Sequence, residues 1–214
     1  MGGIFGFLVD PDNAFGRIMK HVSTVIITNL LFLFFSIPVF TLGASYTAMC
    51  HVMMKTYRTE GEFSVISEFW EGFRSNFRQS IAGSLISVGI LFAGGCLISF
   101  LQKEAVWIYI QYVCLFLIIY FLAYQLYFFP CIAAFRASMG GHMRNTFFFL
   151  MKKPVISIFS LFCNIVPVAL MFLDKVYQPA YVFAFFFFGF SFLNKISMWL
   201  ILKVFREYLP EVNG

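Results

Sequence analysis

Side chains able to do chemistry are sparse in this sequence, and four of them lie inside long apolar segments: His51, Asn164, Asn194 and Lys195. A charge at the centre of a bilayer costs about 2.5–3.5 kcal/mol on insertion scales, so a lysine there favours a partner or a wet cavity. Lys195 precedes Lys203 by eight residues, which is roughly 12 Å along a helix. Its side chain could therefore also snorkel toward the membrane surface. We treat these four residues as a candidate intramembrane polar site.

The chain shows no constellation that is typical of catalysis. The apolar segments contain no Asp or Glu, which counts against an acidic proton relay or a carboxylate-based enzyme. No Gly-x-Ser-x-Gly sequence or phosphate loop is present. His21 and His142 are expected near segment ends, away from His51, so a three-ligand metal cluster is not supported. We expect no enzymatic activity, no cofactor and no bound metal.

A second candidate surface lies in the polar connection between Arg58 and Ser80. Its apolar residues recur with the i, i+3, i+4, i+7 spacing of one helix face. This spacing predicts an amphipathic helix near 62–78 that lies in the headgroup plane. Such a helix either braces the neighbouring spans or docks a cytoplasmic partner. The candidate docking residues are Phe69, Trp70, Phe73, Arg74 and Phe77.

Composition sets the class of protein. The chain is 61% hydrophobic and 12% charged, against about 25% charged in ordinary soluble domains, and its mean hydropathy is +0.85. Long apolar blocks without period-2 alternation indicate helices rather than a barrel. We predict an all-α, polytopic membrane helix bundle that forms one domain over 1–214. The predicted spans lie near residues 15–36, 40–57, 81–101, 106–129, 154–173 and 181–202.

The first apolar stretch, 15–57, decides the number of spans. It is too long for one crossing, which needs about 20 residues, and Pro38 interrupts it near its middle. We predict that Pro38 and Gly43 form a structural hinge that turns a helical hairpin. The result is six spans arranged as three hairpins, with five spans as the alternative.

The distribution of basic residues favours six spans. In that arrangement twelve of the 15 Lys and Arg residues lie on one side, two lie on the other, and Lys195 lies within the last span. Five spans would leave ten inside and four outside. The positive-inside rule therefore predicts a multi-pass protein with both termini cytoplasmic. The net charge of +5 needs only anionic lipid, and no nucleic acid, to explain it.

Several motifs resemble the YesL family of bacterial integral membrane proteins, a family of unknown function. The resemblance extends over essentially the whole length and rests on residues that look structural. The motifs are Asp10-Pro11-Asp12-Asn13-x-Phe15, Ser36-Ile37-Pro38 with Thr41-x-Gly43-Ala44-Ser45, Phe69-x-x-Phe73-x-x-Asn76-Phe77, Phe192-Leu193-Asn194 and Val204-Phe205-Arg206-Glu207-Tyr208-Leu209-Pro210.

The resemblance implies a bacterial plasma membrane protein linked to carbohydrate importers of the ATP-binding-cassette type. We accordingly expect a non-catalytic accessory or partner subunit of such an uptake system. The helix near 62–78 and the segment 131–153 would contact the partner's cytoplasmic face, and an oligomer is compatible with the sequence. The alternatives are a self-sufficient small-solute (sugar) carrier or channel lined by the polar site, and a membrane sensor of sugar status.

Overall fold

A computed structural model of the chain describes residues 14–59, 63–101 and 108–208. These residues form seven α-helices and no strand, so the all-helical prediction is confirmed. The predicted boundaries at residues 62 and 106, and the family-like residues 10–13 and 209–210, lie outside the described ranges. The helices are α1 (Ala14–Phe35), α2 (Leu42–Thr56), α3 (Val65–Leu101), α4 (Ile108–Ala134), α5 (Met139–Lys152), α6 (Pro154–Leu173) and α7 (Gln178–Phe205), the last with a π-helical segment at Phe185–Gly189.

Five of the helices in the described ranges are long and apolar enough to cross a membrane: α1, α3, α4, α6 and α7. This finding is consistent with a multi-pass protein in a lipid bilayer. The predicted span 40–57 forms α2, which has 15 residues. That is about 22 Å, short of the roughly 30 Å hydrocarbon core. α2 is a central helix of the bundle, packed against α1, α3, α4 and α7.

Pro38 separates α1 from α2. Proline ends helices because it lacks an N–H and restricts the residue before it, and here it precedes a short 3-10 turn, Val39–Thr41. The Thr41 hydroxyl donates to the carbonyls of Phe35 and Pro38 at 2.5 and 2.6 Å. The Thr41 side chain therefore links the 3-10 turn to the last residue of α1 and to Pro38.

The predicted interfacial helix near 62–78 is not a separate element. Residues 65–101 form one helix of 37 residues, about 55 Å long. The polar part of this segment continues directly into the apolar part at Ser80 and Ile81, because no proline lies at the junction. Phe69 and Phe73 on its first turns are buried against α1 and α2. The apolar face of this part of α3 therefore belongs to the core of the bundle, and the structure differs from the prediction in that residues 65–78 continue into the apolar helix.

The core has two main parts. One joins α2, α4 and α7 through residues such as Met53, Tyr127 and Met198. The other joins α1, α2 and α3 through Phe32, Val52 and Phe69. Both parts include α2, so this short helix connects the two parts of the core.

Candidate functional site

Small residues let α2 approach α3 closely. A Cβ added at Gly43 would lie 2.5 Å from the Ser80 carbonyl oxygen, and one added at Gly72 would lie 2.9 Å from the Cβ of His51. The Thr47 and Ser80 hydroxyls share a hydrogen bond of 2.8 Å at the same contact. Gly43, predicted as part of a hinge, is thus a point of helix contact, and this contact explains why glycine is needed there.

A cluster of charged and titratable side chains lies at the other end of the α2–α3 contact. Glu68 Oε1 lies 2.5 Å from Lys55 Nζ, and Glu68 Oε2 lies 3.3 Å from His51 Nε2. The Glu68 side chain is 13% exposed and both partners are about one-third exposed. His51 therefore has a carboxylate partner on α3, and it does not face Asn194 or Lys195. The cluster ties two helices together, and its carboxylate is occupied by two basic groups.

Asn29 on α1 compensates for the π-helical segment of α7. A π segment shifts the hydrogen bonds from i→i+4 to i→i+5 and leaves backbone groups without their usual partners. The Asn29 amide donates to the carbonyls of Phe185 and Phe186 at 3.0 and 2.7 Å. Its oxygen accepts from the Ser191 N–H at 3.0 Å. Fully buried Asn29 therefore holds α1 to α7 through three hydrogen bonds.

The remaining predicted polar residues lie in separate contacts of α7. Asn194 is 1% exposed and donates to the Cys50 sulfur at 3.2 Å. Asn164 donates to the Ser197 hydroxyl at 2.6 Å and to the Ser160 carbonyl at 2.8 Å. The backbone carbonyl of half-buried Lys195 accepts from the Tyr57 hydroxyl at 3.0 Å.

The four residues of the predicted polar site are therefore not brought together. His51 faces α3, Asn194 faces α2 and Asn164 joins α6 to α7. Interhelical hydrogen bonds of this kind stabilise membrane bundles by modest amounts, about 0.6–2 kcal/mol each. Their arrangement supports a structural role in helix packing.

The predicted docking residues divide into two groups. Phe69, at 1% exposure, and buried Phe73 pack on Phe35, with ring centroids 5.6 and 5.0 Å apart, and Phe77 is half-buried. Trp70, at 49% exposure, and Arg74 are exposed. Phe69 and Phe73 are covered by α1 and α2, so among the predicted docking residues Trp70 and Arg74 are the ones with exposed side chains.

Two residues that hold these contacts were missed from the sequence. Asn29 is the one side-chain amide inside the apolar block 22–40. A polar group in a membrane is costly without a partner, so its position could have indicated a buried hydrogen-bonding residue. Glu68 is a polar residue of the amphipathic segment, where the apolar i, i+3, i+4 spacing predicts that polar side chains face solvent. Its spacing from Lys55 along the chain carries no signal, since the pair forms only when α2 and α3 pack.

A large open depression lies at the start of α7, lined by Gln178, Pro179, Val182, Phe183 and Phe186. Its lining is largely apolar. None of the four residues of the predicted polar site lines it. In the described residues no group of three or more His, Cys, Asp or Glu side chains could hold a metal ion.

Comparison with known proteins and families finds a match for part of the chain. No curated protein and no solved structure matches it. Residues 25–97, from α1 through the Pro38 turn and α2 into α3, match the family model described as "Protein of unknown function, DUF624", a family that includes YesL. Over this stretch the chain is therefore similar to an uncharacterised protein family whose description assigns no activity.

Proposed function

We propose that this protein is a non-catalytic partner subunit that associates with the membrane part of a carbohydrate uptake system of the ATP-binding-cassette type. The supporting observation is the outer half of α3, most of which no described residue covers. In the most apolar windows of α3 and α6 only 11% of residues are buried, against 39% in α7. α3 differs from α6 because it carries glycines on this exposed part, whereas α6 contains none. Phe92 is 73% exposed. A helix with so little contact among the described residues offers a surface on which another membrane helix can pack.

Two glycines make this surface suitable for close helix contact. Within the described residues, a Cβ added at Gly89 or at Gly95 would meet no atom within 4 Å. Small residues at such open positions allow a second helix to approach closely, and van der Waals packing then stabilises association in lipid. At the other end of α3, exposed Trp70 and Arg74 extend the proposed contact toward the partner's cytoplasmic face.

The choice of a sugar importer as the partner rests on the resemblance to the YesL family. A carrier or channel is the alternative function, but it has less support, because the predicted polar residues lie in separate helix contacts. A sensor of sugar status would differ from the proposed subunit only in the identity of its partner.

We also propose that both termini are cytoplasmic in the plasma membrane, with α2 returning the chain through the bundle as the sixth, shortened pass. The twelve-to-two distribution of basic residues supports this topology. In a cysteine-free chain, a cysteine replacing Arg17 should react with an impermeant maleimide only after the cells are opened. Labelling of intact cells would favour five passes and an external N-terminus.

Affinity purification from native membranes tests the proposed function. The tagged wild-type chain should retain membrane subunits of a sugar importer, identified by mass spectrometry. Gly89→Leu should fold, because its side chain meets open space, but should lose those subunits. Phe162→Leu, on the exposed face of α6 and away from the proposed surface, is the control and should retain them. Absence of every transporter subunit from the wild-type sample would contradict the proposal.

A further inference from the structure

The outer face of α5 is apolar, and the described residues leave about half of it exposed. Met143, Phe147, Phe148 and Met151, here called the α5 stripe, are 45–54% exposed. The opposite face is buried in the bundle and consists of His142, Thr146, Phe149 and Leu150. The helix is thus amphipathic, but the side turned away from the protein carries large apolar side chains, which is unusual for a helix in contact with water alone.

The contacts of α5 place it beside membrane-spanning segments. The Tyr124 hydroxyl donates to the Met143 carbonyl at 3.2 Å, and Met139 packs against Phe128. Tyr124 and Phe128 belong to the long apolar part of α4, and Tyr124 lies about 15 Å before the end of that helix. The first half of α5 therefore lies along the side of α4 and not beyond its end.

The second half of α5 is held as firmly. The Phe149 and Phe205 rings lie 4.6 Å apart, and α6 begins at Pro154, two residues after α5 ends. Both ends of α5 are therefore joined to helices long and apolar enough to cross the membrane. A helix held in this way has its outer face at the boundary between lipid headgroups and acyl chains.

Every charged side chain in α5 and in the segments that flank it along the chain is basic. Residues 105–173 contain four basic residues, Arg136, Arg144, Lys152 and Lys153, and no acidic residue. Lys152 is paired inside the protein, since its Nζ lies 2.5 Å from Glu207 Oε2 and 2.8 Å from the Tyr208 hydroxyl. Arg144 is exposed beside the α5 stripe and Lys153 is half-buried at its end. Arg144 can accept an external anion, and Lys153 can do so beside the Glu207 carboxylate, whose pKa is lowered by Lys152 and, in addition, by Lys153.

We infer that the α5 stripe lies in lipid and that Arg144 and Lys153 bind the phosphates of acidic phospholipids. The apolar face supplies the burial, and the two cations supply selectivity for an anionic headgroup. A lipid occupant fits better than a water-soluble protein, because α5 lies against the spanning part of α4. The inference does not depend on the proposed transporter partner and holds for either orientation of the chain.

Brominated lipids in nanodiscs test this inference on the full-length protein. Phe147→Trp introduces a fluorophore into the α5 stripe, and the wild-type signal is subtracted. Quenching is compared for brominated phosphatidylglycerol and brominated phosphatidylcholine at equal mole fraction in mixed bilayers. Phe162→Trp, on the exposed face of α6, is the control for lipid contact away from the charges.

We expect stronger quenching of Trp at position 147 by the acidic lipid, and equal quenching by both lipids at position 162. Arg144→Gln should lower the preference at position 147 by about fivefold, the effect of one cation near a membrane surface, while Arg78→Gln on α3 should leave it unchanged. Equal quenching by the two lipids at position 147 would overturn the assignment of acidic lipid. Absence of quenching there would overturn the placement of the stripe in lipid.

Discussion

The side-chain oxygen of Asn29 accepts a hydrogen bond of 3.0 Å from the backbone N–H of Ser191, 162 residues further along the chain. The same amide donates to two carbonyls of the π-helical segment. One side chain on α1 therefore satisfies the irregular part of α7. Because the site is buried, its backbone groups have no water to replace that partner.

Asn29→Leu should destabilise the protein more than any other single exchange of an asparagine. The change leaves two carbonyls and one N–H with reduced bonding, and an unsatisfied buried group costs about 1–3 kcal/mol. Thermal unfolding in detergent measures the effect. Asn145→Leu, at a half-buried position on α5, is the control, and an equal fall in Tm for the two variants would contradict the role of Asn29.

Glu68→Gln should loosen the α2–α3 contact. It keeps the shape of the side chain but removes the charge that faces Lys55 and His51. Because the cluster is partly exposed, we expect a loss of about 1 kcal/mol in the free energy of unfolding. Glu71→Gln, three residues along α3 and exposed, should change stability little. A double-mutant cycle with Lys55→Met should give a coupling energy of similar size, and zero coupling would refute the ion pair.

Alanine at two helical glycines should act in opposite directions. In Gly43→Ala the new Cβ would lie 2.5 Å from the Ser80 carbonyl oxygen, so α2 and α3 must separate and stability must fall. In Gly95→Ala the new Cβ meets no described atom within 4 Å, so the higher helix propensity of alanine should stabilise by up to about 1 kcal/mol. Thermal unfolding in detergent gives the Tm of each variant relative to the wild type. A fall of the same size in both variants would show that the close approach at Gly43 is wrong.

His142 should make stability depend on pH. It is buried on α5, and burial lowers the pKa of its imidazole below the ordinary value of 6.5. The unfolded chain therefore takes up a proton near pH 6.5, and the folded chain does so only at lower pH. Acidification through this range thus favours unfolding.

We expect Tm to fall between pH 7.5 and pH 5, and His142→Gln to reduce the part of that fall that His142 causes. Tm measured at several pH values for both proteins gives the comparison. Parallel curves for the wild type and the variant would show that His142 does not contribute.

Much of the fold followed from local signals in the sequence. Long apolar blocks gave the helices, and Pro38 gave the break between α1 and α2, because both depend on residues near one another in the chain. The length of α3 did not follow. The polar residues around Arg74 predict a separate surface helix, whereas the structure has one continuous helix from Val65 to Leu101. The burial of Phe69 and Phe73 could not be predicted either, because it depends on how α1 and α2 pack against α3.

The polar contacts were harder to predict for the same reason. His51 and Asn194 lie in segments correctly identified as apolar helices, but periodicity does not say which neighbour each residue faces. Their partners, Glu68 and Cys50, come from contacts between helices. The run of four phenylalanines likewise carries no local signal for a π-helical segment. The role of Asn29 depends on the packing of α1 against α7, which the sequence does not show.

The most direct test of the proposed partner subunit is photocrosslinking from the outer half of α3 in living cells. p-Benzoylphenylalanine in place of Phe92 projects from the face proposed to bind another membrane helix. The same amino acid in place of Phe162, on the exposed face of α6, is the comparison. We predict a crosslink from position 92, but not from position 162, to a membrane subunit of a sugar importer. Crosslinks from position 92 to lipid alone, or only to a second copy of this chain, would contradict the account.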